Sequence, residues 1–445
     1  MQQTSQVELI REAFFYQSRF HGRTMVFKVD YPLTEAPSFP SLMNDLALLA
    51  QTGIRVVIVP GAKEWIDAVL TEYEIPWSYE GTVRLTSGQA IPFVKMAAFE
   101  VATRFMTALS ASRIDSVIGN FVRARGLGVV NGVDYGHSGV VEKILVEPLS
   151  RVLQMGMVPI IPCIGWSIAG KPYNLPSDEI ALEVCRALGA VKFFILSAHG
   201  PLMTSHYQVP ANLSCDASGR IGRLTLQEAQ AILDMNSPQK DRPLEELQLA
   251  LRAGRAGVER VHLVDGREEG AVLRELFSNL GAGTMIYADE YESIRPLLAD
   301  DIPQVLRLME PLMEQGILLR RSADDIHEKI KDYVVFDIDG SVHACGALHD
   351  WGEGQGEIAA LATDPLYGEL NMGRRIVGYL IERARKQGMK RVFVLTTRTH
   401  DWFEYLGFKE ISVEELPERK RRLYDYKRKS KVFALDLSSL SPGSS

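Results

Sequence analysis

In the first two-thirds of the chain, short apolar runs alternate with stretches whose apolar residues recur every three or four positions. The runs TMVFKV (from Thr24), RVVIVPG (from Arg55), MVPIIPCIG (from Met157), KFFILS (from Lys192), ERVHLVDG (from Glu259) and GTMIYAD (from Gly283) have the length and composition of buried strands. Between them, SLMNDLALLAQTG ending at Gly53, KEWIDAVLTEYEI from Lys63 and SDEIALEVCRALGA from Ser177 repeat with a helical period. Ser177 or Asp178 stands near the N-cap of the last of these. A further helix is predicted over roughly Val7 to Phe20, carrying the aromatic cluster Phe14, Phe15, Tyr16 and Phe20. Regular alternation of strand and helix predicts a parallel sheet with helices on both faces.

The pattern changes near Asp289, where acidic residues interrupt the apolar periodicity. DDIPQVLRLMEPLMEQG is a helix with acidic residues at its start, where the helix dipole favours them. KDYVVFDIDGSVHACGALHD is a hairpin turning at Ile338-Asp339-Gly340. The strand EIAALAT, a break at Asp364-Pro365, and the helix opened by Gly373 follow, then the strand RVFVLTT and the helix-to-strand step DWFEYLGFKEI. The domain reading is residues 1–288, a linker over 289–294, a second domain over 295–437 and a disordered tail over 438–445.

Composition narrows the class. A chain of 445 residues exceeds one ordinary core. With 46% hydrophobic and 24% charged residues it reads as soluble and globular. The net charge of −7 argues against nucleic acid as the main partner, the basic run Glu418 to Lys431 being the local exception. No apolar stretch is long enough to span a membrane, and the N-terminus lacks a signal-peptide layout. The cysteines Cys163, Cys185, Cys215 and Cys345 lie at wide, irregular spacings, so neither a metal site nor a disulfide framework is predicted. A reducing, cytoplasmic setting is expected.

The most informative stretch is GEIAALATDPLYGELNMG, Gly356 to Gly373. A buried strand, a short loop and a helix N-terminus make an anion site, because the first helical amides have no partner within the helix. This arrangement resembles the acetyl-CoA site of GNAT-type N-acetyltransferases, and the order of elements from Ile294 to Leu437 is that of their α/β fold. The first domain resembles the amino acid kinase family, arginine-sensitive acetylglutamate kinases in particular, through YQSRFHGRTMVFKV, EGTVRLT, YNLPSDEIA and RVHLVDGREEGAVLRELFSNLGAGTMI. Together the two halves resemble the bacterial-type N-acetylglutamate synthase family, with GILLRRS, VFVLTTRTHDWFEYLGF and ELPERKRRLYDYKRKSKV also alike. The resemblance implies acetyl transfer from acetyl-CoA to the α-amine of L-glutamate, the first step of arginine biosynthesis, with no permanently bound cofactor. It also implies feedback by L-arginine and a homo-hexamer.

Site residues follow from the same motifs. Glu357 matches the family's general base, and Leu361, Ala362 and Thr363 lie on a strand that would splay to expose amides to the thioester and pantetheine. Asn371, Gly373 and Arg374 match the phosphate loop and helix start. Arg320, Arg428 and Ser430 match the glutamate-binding positions, two cations suiting a dianion. Thr396, Tyr405 or solvent is the candidate acid at the leaving thiolate, since Phe403 stands where many GNAT-type enzymes carry tyrosine. In the first domain Tyr16, His262, Glu275 and Gly281 match the arginine-contacting positions, Glu275 being able to pair bidentately with a guanidinium. Taken singly, His262 reads as a core histidine and Glu275 as an exposed helix charge. Kinase chemistry is not expected: Lys28 matches a catalytic lysine, but Asp30-Tyr31 replaces a glycine pair, Pro60-Gly61-Ala62 is depleted in glycine, and the second lysine's position falls near Glu246. Asn174 and Asp178 remain. The alternatives are acetyl transfer to another amine with the first domain as scaffold, or a non-catalytic amino-acid sensor.

Overall fold

The structure, a computed structural model, describes residues 20–210, 213, 215–236, 242–277, 281–287, 292–338, 341–365 and 372–437. The expected entry helix with Tyr16, the turn at Asp339-Gly340, the phosphate loop with Asn371, and the tail lie outside them. The chain divides into two compact units, up to residue 289 and from 290.

The first unit is built on eight strands: β1 (Thr24–Val29), β2 (Arg55–Pro60), β3 (Ser116–Ile118), β4 (Val158–Ile160), β5 (Lys192–Ser197), β6 (Arg223–Thr225), β7 (Arg260–Asp265) and β8 (Thr284–Tyr287). Their order is β6-β8-β7-β5-β1-β2-β4-β3. Every residue of β1 and β5 is buried, as expected of strands covered on both faces. The sheet is parallel except where β8 runs antiparallel to β7, a departure from the expected all-parallel sheet. Further strands at 122–126, 139–144, 164–166 and 172–174 form a separate four-stranded sheet, which was not foreseen; the predicted strand from Met157 divides, its first part joining the main sheet and Ile164 and Gly165 this one.

Helix α1 (Phe39–Gln51) starts with proline in its first turn and buries Phe39, Leu42, Met43, Leu46 and Leu49. It packs on α2 (Ala271–Phe277), the helix of Glu275. Asp45 sits on the buried face of α1 with Oδ2 unpartnered. Burial pushes its carboxyl up to about 6 from 3.8, although the amide of Leu273 donates to it and Arg274 acts in the opposite direction. A folded-state value above the unfolded one means stability that is present below pH 4 and lost as pH rises through 6. Asp45→Asn, which keeps an acceptor without the charge, should stabilise the first unit by about 2–3 kcal/mol at pH 7.5. The gain should fade at pH 4.5; urea unfolding at both values checks this, and an equal gain at both would contradict it.

The second unit carries β9 (Glu292–Pro296), β10 (Tyr333–Ile338), β11 (Ser341–Asp350), β12 (Gln355–Thr363), β13 (Arg391–Thr396), β14 (Lys409–Ile411) and β15 (Lys431–Asp436), ordered β9-β10-β11-β12-β13-β15-β14. The segment expected as a linker over 289–294 therefore contains the start of an edge strand. Arg295 on that strand donates to Asp301 and Asp337, which ties β9 to the rest of the unit. All neighbours are antiparallel except β12 and β13, which pair in parallel over Gln355–Glu357 alone. Helix α3 (Ile302–Glu314) covers one side and α4 (Met372–Lys386) the other, the latter burying Met372, Ile376, Val377, Leu380 and Ala384. Gly346 lets α4 approach β11: a Cβ there would stand 2.7 Å from Ile376 Cγ2.

Candidate active site

The site in the second unit forms where β12 leaves β13. The two strands share a ladder only up to Glu357–Phe393, while β12 continues to Thr363 and β13 to Thr396. Ala360 takes a left-handed backbone (φ 55°), and the register against β11 shifts between Cys345 and Ala347. This is a bulge, and it bends the strand away from its parallel neighbour. Leu361, Ala362 and Thr363 thus lie on the splayed part, as expected. At its end, Gly373 of α4 is in van der Waals range of both Thr363 and Trp402: a Cβ would stand 3.5 Å from each. The N-terminal turn of α4 therefore meets the end of β12 beside the Trp402 ring. Arg374 is exposed.

Glu357 is 6% exposed, at the last paired position of the splay. Trp351 Nε1 donates to its Oε2 at 2.8 Å, and Lys420 Nζ donates to both oxygens at 2.7 Å. Neither neighbour was singled out from the sequence. Lys420 belongs to α6 (Glu418–Arg421), a short helix in the connection between β14 and β15, after α5 (His400–Tyr405).

That connection also carries two of the expected acceptor-binding residues, Arg428 and Ser430. The Arg428 guanidinium donates to the carbonyl of Gly316 at 3.2 Å and to that of Ile317, fixing it against the segment that carries Arg320. Arg320 is exposed. Ser430 is buried, and its carbonyl accepts from Tyr424 Oη at 2.6 Å. The next residue, Lys431, pairs with Thr396, so Ser430 stands at the same end of the sheet as the end of β13.

The two candidate acids differ. Thr396 is buried, with its hydroxyl 2.8 Å from Thr399 Oγ1 while accepting from the amides of Arg398 and Thr399. That is a local cap leading into α5. Tyr405 is 75% exposed. Phe403 is core, edge-on to Trp402 and Phe408.

In the first unit, His262 on β7 and Glu275 on α2 meet in the interior. His262 Nδ1 donates to Glu275 Oε1 at 2.6 Å, and the amides of Ala282 and Gly283 donate to Oε2 at 2.7 Å. Gly281 has φ 60°, and a Cβ on it would stand 2.6 Å from Glu275 Oε2. Glu275 is therefore buried, which removes the alternative of an exposed helix charge that the residue taken singly suggests. Both lone pairs of Oε2 are spoken for, which leaves one on Oε1 and no room for a bidentate guanidinium in this arrangement. Burial, joined by the nearby Lys192 ammonium, lowers His262 to about 4, so the ring is neutral at pH 7. Burial opposes ionisation of Glu275, but the His262 bond and the two amides outweigh it and hold the carboxyl below its usual range. Lys192 Nζ lies 3.5 Å from His262 Nε2. A lysine on a wholly buried strand was a signal in the sequence that went unused.

The residues that match the kinase family's catalytic positions all have partners within this unit. Lys28 is buried and paired with Asp30 and with Asp178, the latter at 3.0 Å. Glu246 accepts from Ser197 Oγ at 3.1 Å and lies 3.2 Å from His199 Nδ1. Asn174 donates to Thr86 at 3.1 Å. Arg84, of the EGTVRLT stretch, is held by Asp67 at 2.7 Å and the carbonyl of Lys63 at 2.8 Å.

Residues 32–263 match the amino acid kinase family, and residues 300–408 the acetyltransferase (GNAT) family. The chain is similar to the amino-acid acetyltransferase of Escherichia coli (strain K12), 34% identical over 98% of each chain. It matches that of Pasteurella multocida at 34%, over 97% of this chain and 98% of the other. Among solved structures, it resembles N-acetylglutamate synthase from Neisseria gonorrhoeae complexed with coenzyme A and L-arginine, with TM-score 0.85 and 31% identity over 97% of this chain and 99% of that one. The same enzyme complexed with coenzyme A and N-acetyl-glutamate matches with TM-score 0.60 and 33% identity over the same shares. With about a third of its residues identical to these relatives over 97–98% of its own length and 98–99% of theirs, the chain belongs to the amino-acid acetyltransferase family.

Proposed function

We propose that this acyltransferase moves the acetyl group of acetyl-CoA to the α-amine of L-glutamate, in the first step of arginine biosynthesis, and that L-arginine regulates it. The observation that carries the reading is the buried Glu357 at the point where β12 parts from β13, next to the connection bearing Arg428 and Ser430. The α-ammonium loses one proton through water to Glu357. The amine then attacks the thioester carbon, the C–S bond breaks, and the second amine proton balances the thiolate. Splayed amides near Leu361 to Thr363 hold the carbonyl oxygen and the pantetheine arm, and the first turn of α4 with Asn371, Gly373 and Arg374 holds the phosphates. Thr396 or Tyr405 supplies the thiolate's hydrogen bond; the exposure of Tyr405 leaves it the freer of the two. Arginine occupies the His262, Glu275 and Gly281 region with Tyr16, and the chain acts as a cytoplasmic homo-hexamer. Among the described residues no helix is long and apolar enough to cross a membrane. Light scattering giving a monomer or dimer mass would remove the hexamer, and recovery in a membrane fraction the location.

Arg320 and Arg428 as carboxylate ligands predict substrate choice. Glutamate should outrun glutamine by about ten- to a hundred-fold in kcat/KM, the cost of losing one charge-assisted pair. A thiol-release assay over an amino-acid panel reads this directly, and equal turnover of the two amino acids would sink the carboxylate clamp. Arg428→Ala should raise KM for glutamate far more than KM for acetyl-CoA.

The first unit does not transfer phosphate, because Lys28 is already paired with two carboxylates and Glu246 stands where a second cation would be needed. Incubation with ATP and N-acetylglutamate should yield no acyl phosphate above an enzyme-free control; accumulation would restore kinase chemistry.

A further inference from the structure

The acetyltransferase site contains a cation that its motifs leave unassigned. Lys420 is 63 residues from Glu357 in sequence and touches both of its carboxylate oxygens at 2.7 Å. The lysine side chain is 12% exposed and that of Glu357 8%, so both members of the pair are largely buried. Nζ also lies 4.8 Å from the centroid of the Trp351 ring, and that ring's N–H donates to the same carboxylate. A buried carboxylate without a partner is costly, and one held by a cation and a ring N–H has a single orientation.

The segment that delivers Lys420 is anchored at both ends. Near its start the carbonyl of Glu415 accepts from Gln355 Nε2 at 3.4 Å, and the amide of Glu418 donates to Glu353 at 3.2 Å. Leu416 packs with Phe393, Val432 and Ala434 in a cluster that Trp351 and Tyr424 border. Near its end Arg428 reaches the carbonyls of Gly316 and Ile317. One stretch of chain therefore carries the cation on Glu357 and two of the three residues assigned to the acceptor, Arg428 and Ser430.

We infer that Lys420 is the positioning residue for Glu357: with Trp351 it fixes the carboxylate so that its remaining lone pair on Oε1 can take the acceptor's proton through water. The inference rests on Glu357 being the base. Each carboxylate oxygen has two lone pairs, and the Trp351 and Lys420 bonds use three of the four. Proton transfer by a positioned base contributes about 100- to 10,000-fold, and a base free to turn retains only part of that.

The test is a double-mutant cycle on the full chain with acetyl-CoA and glutamate, using Glu357→Gln, Lys420→Met and the pair. Lys420→Met should lower kcat about 10- to 100-fold while leaving KM for acetyl-CoA within about twofold. The double variant should be no slower than Glu357→Gln alone, because Lys420 acts only through that carboxylate. Lys420→Arg keeps the charge and two N–H groups and should recover at least about a third of the parental kcat. If the ion pair merely pins the connection, the losses multiply in the double variant and KM for glutamate rises instead; that result would overturn the inference. So would parental kcat in Lys420→Met when Glu357→Gln is inactive. Near-parental activity of Glu357→Gln would instead remove the base assignment itself. Coenzyme A affinity of each variant, by calorimetry, reports whether the unit is folded. If Lys420→Met no longer binds coenzyme A, Lys420→Gln takes its place in the cycle and the same outcomes apply.

Discussion

Glu357→Gln should lower kcat for acetyl transfer by about 100- to 10,000-fold, the contribution of a positioned general base. Glutamine fills the same space and still accepts the Trp351 N–H, so the parted strand should survive the change. Its amide cannot take a proton at neutral pH, and it meets Lys420 with one acceptor in place of two. Groups proposed to hold acetyl-CoA are backbone amides near Leu361 to Thr363 and the start of α4, which the substitution does not touch. KM for acetyl-CoA should therefore stay within about twofold, the pattern of an interaction made only at the chemical step. Single-turnover thiol release separates this from slow product release. A rate within tenfold of the parent would move the base elsewhere.

A second large effect is expected at Glu275. Removing the carboxylate with Glu275→Ala leaves His262 and the amides of Ala282 and Gly283 without an acceptor in the interior. Each buried group left unpaired costs roughly 1–3 kcal/mol, so the first unit should lose on the order of 3 kcal/mol or more to unfolding. Glu275→Gln keeps an acceptor and tests the regulatory role more cleanly. Arginine can reach Glu275 with two N–H groups only if the 281–283 turn gives up one of its bonds, so binding and a shift of that turn must occur together. The Arg220 guanidinium, which donates to the Gly281 carbonyl at 2.9 Å, holds the turn in its present place. With the charge gone, the arginine concentration for half-maximal effect should rise at least about tenfold, measured against each variant's own arginine-free rate. An unchanged response would place the effector site elsewhere.

Much of this could be read from the chain because burial on two faces leaves a local mark. TMVFKV and KFFILS are apolar at four of six positions each, and both are central strands. The antiparallel course of β8 left no such mark, since direction depends on where the chain comes from and not on which residues it contains. Glu357 stood out at the head of an apolar strand. Lys420 did not, because in a run of basic residues a lysine looks solvated, and only the return of the 412–430 connection over β12 turns it inward. The burial of Glu275 is invisible from its helix alone, where taken singly it looks like an exposed charge. The partners that make its burial affordable are a strand residue 13 positions earlier and amides beyond the helix end. At the domain joint, Glu292–Pro296 reads as a broken pattern because an edge strand needs only one apolar side, and its acidic neighbours mask it.

The parting of β12 from β13 has one more consequence. A sheet is closed to foreign strands everywhere except at its two borders, and this one has a third border in its middle. From Ile358 to Thr363 the backbone faces its former neighbour across a gap without ladder bonds. Such a row invites whatever extended amide-bearing chain fits the wedge. It is short, it ends against the first turn of α4, and the left-handed Ala360 breaks its pleat, so another polypeptide strand finds no long register to follow. The same defect that opens the wedge proposed for the pantetheine arm therefore also works against strand pairing with a second copy of the chain.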